Sequence, residues 1–160
     1  MNRLIISREL SEQARSHLFR QGGERFLFFL CSMSNASDGL AFRAREVLPV
    51  DDEDLSLVRL SLEIKLQKLI EIMNRANTSG MALVEAHSHS RGFDSFSLTD
   101  LNGFGEFVPY VLDALKRPYG ATVWDGRKVL GACWREAGRM ENMVVDMSGE
   151  IVVGKRRKSK

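Results

Sequence analysis

Met81-Ala82-Leu83-Val84-Glu85-Ala86-His87-Ser88-His89-Ser90-Arg91-Gly92-Phe93-Asp94-Ser95-Phe96-Ser97-Leu98-Thr99-Asp100 is the stretch on which the reading of the chain turns. Met81 to Ala86 is a short apolar run of the kind that forms a buried strand, and it leads without a break into His87 and His89. On extended backbone, residues i and i+2 project to one face, so the two imidazoles can converge on a single ion. The loop that follows contains Asp94, which is expected to face solvent, and it returns Asp100 to the first turn of a helix starting near Leu98. Two histidines and a carboxylate make an open three-donor set of the kind used by catalytic zinc, with a position left for water. No cysteine pair lies nearby, which argues against a closed structural site. A bare His-x-His pair is common in loops. Here Ser97 stands three residues before Asp100, so both can face the same ion from one helical turn. Ser97 also suits the N-cap of that helix, and the two roles are compatible.

Outward from this stretch, strands and helices alternate without internal repeats or a dividing linker. Arg3 to Ser7 reads as a short strand, and Leu10, Ala14 and Leu18 form one apolar stripe on a helix from Arg8 to Phe19, closed by Gln21-Gly22-Gly23. Phe26 to Met33 reads as a central strand buried on both faces, and Leu40 to Val50 as a more exposed strand ending near Pro49. Leu62, Leu66, Leu69, Ile70 and Met73 carry the strongest helical period, with Asp54 or Ser56 as its cap and Asn77 to Gly80 as its end. The segment from Leu98 to Lys116 reads as helical, with Gly103, Gly105 and Pro109 expected to split it. Tyr119 to Trp124 and Arg127 to Arg135 flank Asp125-Gly126 as a hairpin, and Met140 to Asp146 pairs with Glu150 to Val153. The fold class that follows is α/β: a single domain with a mixed β-sheet flanked by helices.

The composition agrees with one globular domain. The 160 residues are 44% hydrophobic and 28% charged with only 3 prolines, which excludes disordered and collagen-like classes. No apolar run approaches the ~18 residues of a membrane span, and the first residues lack a secretory pattern. Only two cysteines occur, Cys31 and Cys133, both in apolar runs, so a disulfide framework is not expected and a cytoplasmic location is. The net charge of +2 comes from the end of the chain: five of the 23 basic residues fall in 155–160, and the remaining 18 against 21 acids leave residues 1–154 at −3. The expected organisation is a domain over 1–154 and a basic, disordered tail over 155–160; such a tail reads as a solvated end more than as a nucleic-acid site.

His87 to Asp100 resembles the signature of the JAMM (also MPN or JAB) family of zinc-dependent isopeptidases: a distant Glu, then His-Ser/Thr-His-Pro, seven residues, Ser, two residues, Asp. Ser90 stands where that family has proline, and Cys31-Ser32 replaces a usual Leu-Gly. Neither departure removes a ligand. The resemblance implies the JAMM/MPN (cytidine-deaminase-like) fold, Zn2+ held by His87, His89 and Asp100, Glu24 as catalytic acid and base, and Ser97 as oxyanion donor. It also implies a ubiquitin-like protein or its conjugates as substrate, with E1- and E2-like enzymes of a bacterial antiviral conjugation system as associates. No membrane partner is expected.

Zinc chemistry explains those residue types. The ion lowers the pKa of its water to ~7, a nearby carboxylate moves the proton, and a hydroxyl stabilises the oxyanion by ~3 kcal/mol. Glu85 competes with Glu24 for the proton-transfer role because it shares strand parity with both histidines. Two residues along a strand is ~6 to 7 Å, which aims Glu85 beside the ion and leaves it as a partner for an imidazole N–H. Three other readings stay open: an amidase acting on sulfur-carrier conjugates, a non-catalytic scaffold, and a nucleic-acid module resting on the tail. His17 reads as an ordinary helix residue.

Overall fold

The computed structural model describes residues 1–20, 23–58, 61–89 and 95–147. Ser90, Asp94, the strand expected at Glu150 to Val153 and the basic tail at 155–160 lie outside them. The elements are β1 (Asn2–Ile5), α1 (Arg8–Leu18), β2 (Phe26–Ala36), β3 (Gly39–Val50), a 3-10 turn (Asp52–Asp54), β4 (Leu55–Val58), β5 (Ser61–Ile64), α2 (Leu66–Ser79), β6 (Ala82–Ser88), α3 (Leu98–Leu115), β7 (Tyr119–Trp124), β8 (Val129–Trp134) and β9 (Met140–Asp146).

Seven strands close into a barrel in the order β1-β3-β2-β6-β7-β8-β9, and β4 with β5 forms a separate hairpin. This corrects the expected mixed sheet flanked by helices and the JAMM/MPN architecture attached to it. The physical reason is β1. It pairs in parallel with β3 on one side, Arg3 against Ala41, and with β9 on the other, Asn2 against Met143, so the sheet has no edge at that point. Leu40 to Val50 is accordingly an interior strand, paired with β2 along its length and with β1 at Ala41 to Arg43.

Strand alternation divides the apolar residues into two cores. Leu27, Phe29 and Cys31 of β2 and Ala82, Val84 and Ala86 of β6 join residues from all the other barrel strands, with Ala14 and Leu18 of α1 packed among them. A cluster drawn from every strand is the barrel interior, and α1 plugs it. Its amphipathic stripe and the Ser7 cap, whose side chain accepts from Leu10 N, explain why it forms there. On the outer face, Phe28, Leu30, Leu83, Tyr119 and Ala121 pack under Ile72, Met73 and Ala76 of α2 and Phe104, Val108 and Val111 of α3. Trp124 belongs to the first core and Trp134 to the second.

Two other expectations change. The helix predicted from Asp54 or Ser56 begins only at Leu66, capped by Lys65 without a side-chain bond, because Leu55 to Ile64 is spent on the β4–β5 hairpin. Helix α3 runs unbroken through Pro109. Gly105, four residues before Pro109, carries the carbonyl that loses its bond, and both residues are exposed, so water can take its place. No helix among the described residues is long and apolar enough to cross a membrane.

Candidate metal centre

Strand β6 and its neighbours set the histidines. Glu85, His87 and His89 alternate with Val84 and Ala86, so the polar residues share the outer face under α3 while the apolar ones enter the barrel. Strands β6 and β7 run parallel and are joined through α3, and the site lies at the carboxyl end of β6 where that crossover begins. His87 pairs in register with Phe26 and Val123, and His89 N donates to Trp124 O at 2.8 Å. The backbone beneath both rings is therefore fixed on both sides. The rings of Phe26 and Phe96 flank His87 at 5.6 and 6.5 Å between centroids.

Helix α3 delivers the third donor. Ser97 is its N-cap, with Oγ accepting from Asp100 N at 3.0 Å, while Ser97 N donates to Asp100 Oδ2 at 2.8 Å. This reciprocal capping box fixes the carboxylate as well as the helix end. Asp100 Oδ2 then lies 3.3 Å from His87 Nε2 and 3.0 Å from His89 Nε2, and the two ring nitrogens are 3.0 Å apart. Tetrahedral ligands with bonds of ~2.0 to 2.1 Å stand about 3.3 Å from one another. Both histidines are buried and Asp100 is partly so. Three lone-pair atoms at these separations can hold a metal ion, and the sequence-predicted ligands His87, His89 and Asp100 are brought together.

The electrostatics follow from that crowding. Burial works to raise the Asp100 pKa, but the hydrogen bond and charge of His87, with the Ser97 bonds, hold it down at about 2. Burial works to lower His87, yet the Asp100 bond and the charges of Glu85, Asp100 and Glu24 outweigh it and raise its pKa. Glu85 is pushed up by burial, with Asp100 adding and His87 and Tyr119 opposing.

Glu24 precedes β2 and is exposed. Arg25 N donates to Ser88 Oγ at 3.0 Å, and Arg25 O accepts from Ser88 N at 3.1 Å, which extends the β2–β6 register and sets Glu24 opposite His89 on the ligand-bearing face. The Arg25 guanidinium, buried, pairs with Asp52 and anchors the same segment. The Glu24 charge reaches His87, but its carboxylate makes no hydrogen bond or ion pair among the described residues. Ser97 reaches the site through Asp100. Glu85 lies behind His87, with Oε1 3.8 Å from Nδ1, and accepts from the Tyr119 hydroxyl at 3.3 Å. Tyr119 had no signal in the sequence, since its place beside Glu85 comes from the parallel pairing of β6 with β7.

The remaining polar candidates are structural. His17 is buried and its Nε2 bonds Phe26 O at 2.8 Å, tying α1 to the start of β2. Cys31 and Cys133 are free and buried, and burial raises both thiols, Cys133 to about 11. Asp51, Glu53 and Asp54 form a second acidic group, mostly exposed.

A small closed barrel bearing a His-His-Asp centre on its outer face is the class that fold and site define. No family model matches the chain, and no curated protein matches it. The solution structure of protein DSY2949 from Desulfitobacterium hafniense is similar, with a TM-score of 0.52 and 12% sequence identity over 91% of this chain and 94% of that one. At that identity the likeness concerns the fold alone. The N-terminal domain of STIL from Trichoplax adhaerens aligns with a TM-score of 0.36 and 9% identity over 78% of this chain and 38% of that one.

Proposed function

We propose that the protein is a zinc-dependent hydrolase that cleaves a peptide or isopeptide bond at the C-terminus of a ubiquitin-like protein. The observation that carries the hydrolase reading is the convergence of His87 Nε2, His89 Nε2 and Asp100 Oδ2 within 3.3 Å of one another. Two imidazoles and one carboxylate suit zinc and leave its coordination open. Bound there, zinc supplies Lewis acidity and a water acidified to a pKa of ~7. The substrate class rests on the resemblance of residues 87–100 to the isopeptidase signature and on no property of the barrel.

Each side chain has a separate task. Glu24, exposed and opposite His89, takes a proton from the attacking water and delivers it to the departing amine. The Arg25–Asp52 pair and the two Ser88 bonds fix the backbone that follows Glu24. Ser97 uses its Oγ lone pair for the helix cap and retains its O–H to stabilise the developing oxyanion.

The test uses a ubiquitin-like protein carrying a C-terminal fusion as substrate. Cleavage is expected to stop with chelator, to return on zinc addition, and to be lost in His89→Ala. Glu24→Gln should bind zinc normally and lose on the order of 100-fold or more in kcat. Cleavage that survives complete removal of metal overturns the reading. Release of a small molecule from a sulfur-carrier protein, with ubiquitin-like fusions left intact, keeps the chemistry and replaces the substrate.

A further inference from the structure

Glu85 sits where a carboxylate is costly. It shares the outer face of β6 with Leu83, beside Tyr119 and below α3, and its side chain is only 12% exposed. A charge in such a layer persists only when it is paired. Each of its oxygens faces a different group: Oε2 accepts from the Tyr119 hydroxyl at 3.3 Å, and Oε1 lies 3.8 Å from His87 Nδ1. His87 Nδ1 is itself buried and has no hydrogen bond among the described residues.

We propose that Glu85, oriented by Tyr119, is a positioning residue: when a metal takes His87 Nε2, Oε1 closes the 3.8 Å gap to Nδ1 and accepts its N–H, which keeps the Nε2 lone pair directed at the metal. The inference rests on the metal-binding part of the reading above. A neutral imidazole carries one N–H, so a proton kept on Nδ1 leaves Nε2 as the donor to a cation. Glu85 approaches Nδ1 of His87 and Asp100 approaches Nε2, so the two carboxylates meet different ring nitrogens whose lone-pair directions diverge. Strand geometry agrees: two residues before a ligand, a side chain reaches the back of the ring and not the open coordination position. His89 provides the internal contrast. Its Nδ1 is also buried, and no carboxylate is paired with it among the described residues.

The experiment uses the full chain, with Co2+ absorbance to read metal affinity and the diamagnetic Zn2+-loaded protein for long-range 1H–15N NMR of the imidazole tautomers. In the metal-loaded unaltered protein His87 should carry its proton on Nδ1. Glu85→Met should weaken Co2+ binding about 10- to 100-fold and shift the His87 ring nitrogens while leaving those of His89 in place. Glu85→Gln, whose carbonyl still accepts, should recover most of the affinity. Tyr119→Phe removes the anchor without opening a cavity and should lower affinity several-fold, which serves if the Met variant does not fold. Unchanged His87 nitrogens in Glu85→Met, or equal losses in the Met and Gln variants that follow thermal stability, overturn the proposal. So does an unaltered protein that binds no Co2+. Normal metal binding with this Glu85 dependence, but no cleavage of any fusion, would leave the positioning role standing and remove the hydrolase reading.

Discussion

His87 and Asp100 shift each other's pKa in opposite directions, and this sets the pH behaviour of the centre. The folded pKa of Asp100 is depressed, so its contribution to stability is present above the ordinary carboxylate pKa and is lost as pH falls through about 2. The folded pKa of His87 is raised, so its contribution is complete below ~6.5 and is lost as pH rises through the folded value. Glu85, also raised, acts in the same direction as His87. A cation competes with the proton on His87, so metal affinity should rise over the same interval. As pH rises above ~6.5, thermal unfolding should therefore show a falling Tm for chelator-treated protein and a rising Tm for zinc-loaded protein, and Asp100→Asn should abolish the divergence. Parallel slopes would show that proton and metal do not share the site. At this scale much was legible in the sequence. Strand parity sets His87 and His89 on one face, and Asp100, at the opening of the next helix, is a carboxylate that the intervening loop can return to them. Glu24 came only through the resemblance, since its place opposite His89 depends on a cross-strand register that spacing does not encode.

Among the elements, α3 is the one on which the centre depends most directly, because its first turn is both a helix end and a ligand mount. Ser97→Ala removes the Oγ acceptor for Asp100 N and should cost ~1 kcal/mol by urea denaturation. It should also weaken Co2+ binding, because on the helix side the Asp100 carboxylate is then held by the Ser97 N–H alone. Ser97→Thr should restore both. A stability loss without a loss of affinity would mean that the histidines alone position the carboxylate. This cap was readable from Ser97 and Asp100, three residues apart. The start of α2 was not. Leu62 and Leu66 are spaced as a helix stripe, but Leu62 lies in β5, and the four-residue step fits the helical period across an element boundary. Its other end was clear, because Gly80 adopts φ 68° and its N–H caps Ala76 and Asn77.

For the molecule as a whole, closure of the barrel is the feature that local signals could not reveal. The β2–β3 and β7–β8 pairs are hairpins, and a turn between two apolar runs announces them. The β1–β9 pair joins Asn2 to Met143 in parallel across nearly the whole chain, with no turn to mark it. What holds that seam is a buried side chain. Asn2 Oδ1 accepts from Leu40 N at 2.9 Å and from Arg135 Nη2 at 3.1 Å, while Nδ2 donates to Asn142 O and Glu141 Oε1, each at 3.2 Å. One residue thus bonds to groups from β3 and β9 and from the segment after β8. Asn2→Ala leaves Leu40 N buried without that acceptor and should cost ~1 to 3 kcal/mol. The centre is carried on β6, separated from β1 by β3 and β2 on one side and by β9, β8 and β7 on the other. Distant sites add, so Asn2→Ala should leave Co2+ affinity unchanged, and its stability loss should sum with that of Ser97→Ala to within ~0.5 kcal/mol. Urea midpoints for the two single variants and the double variant, alongside cobalt titrations, decide this. A fall in metal affinity on opening the β1 seam would show that ring closure, and not the local β2–β6–β7 pairing, holds the two imidazoles in register.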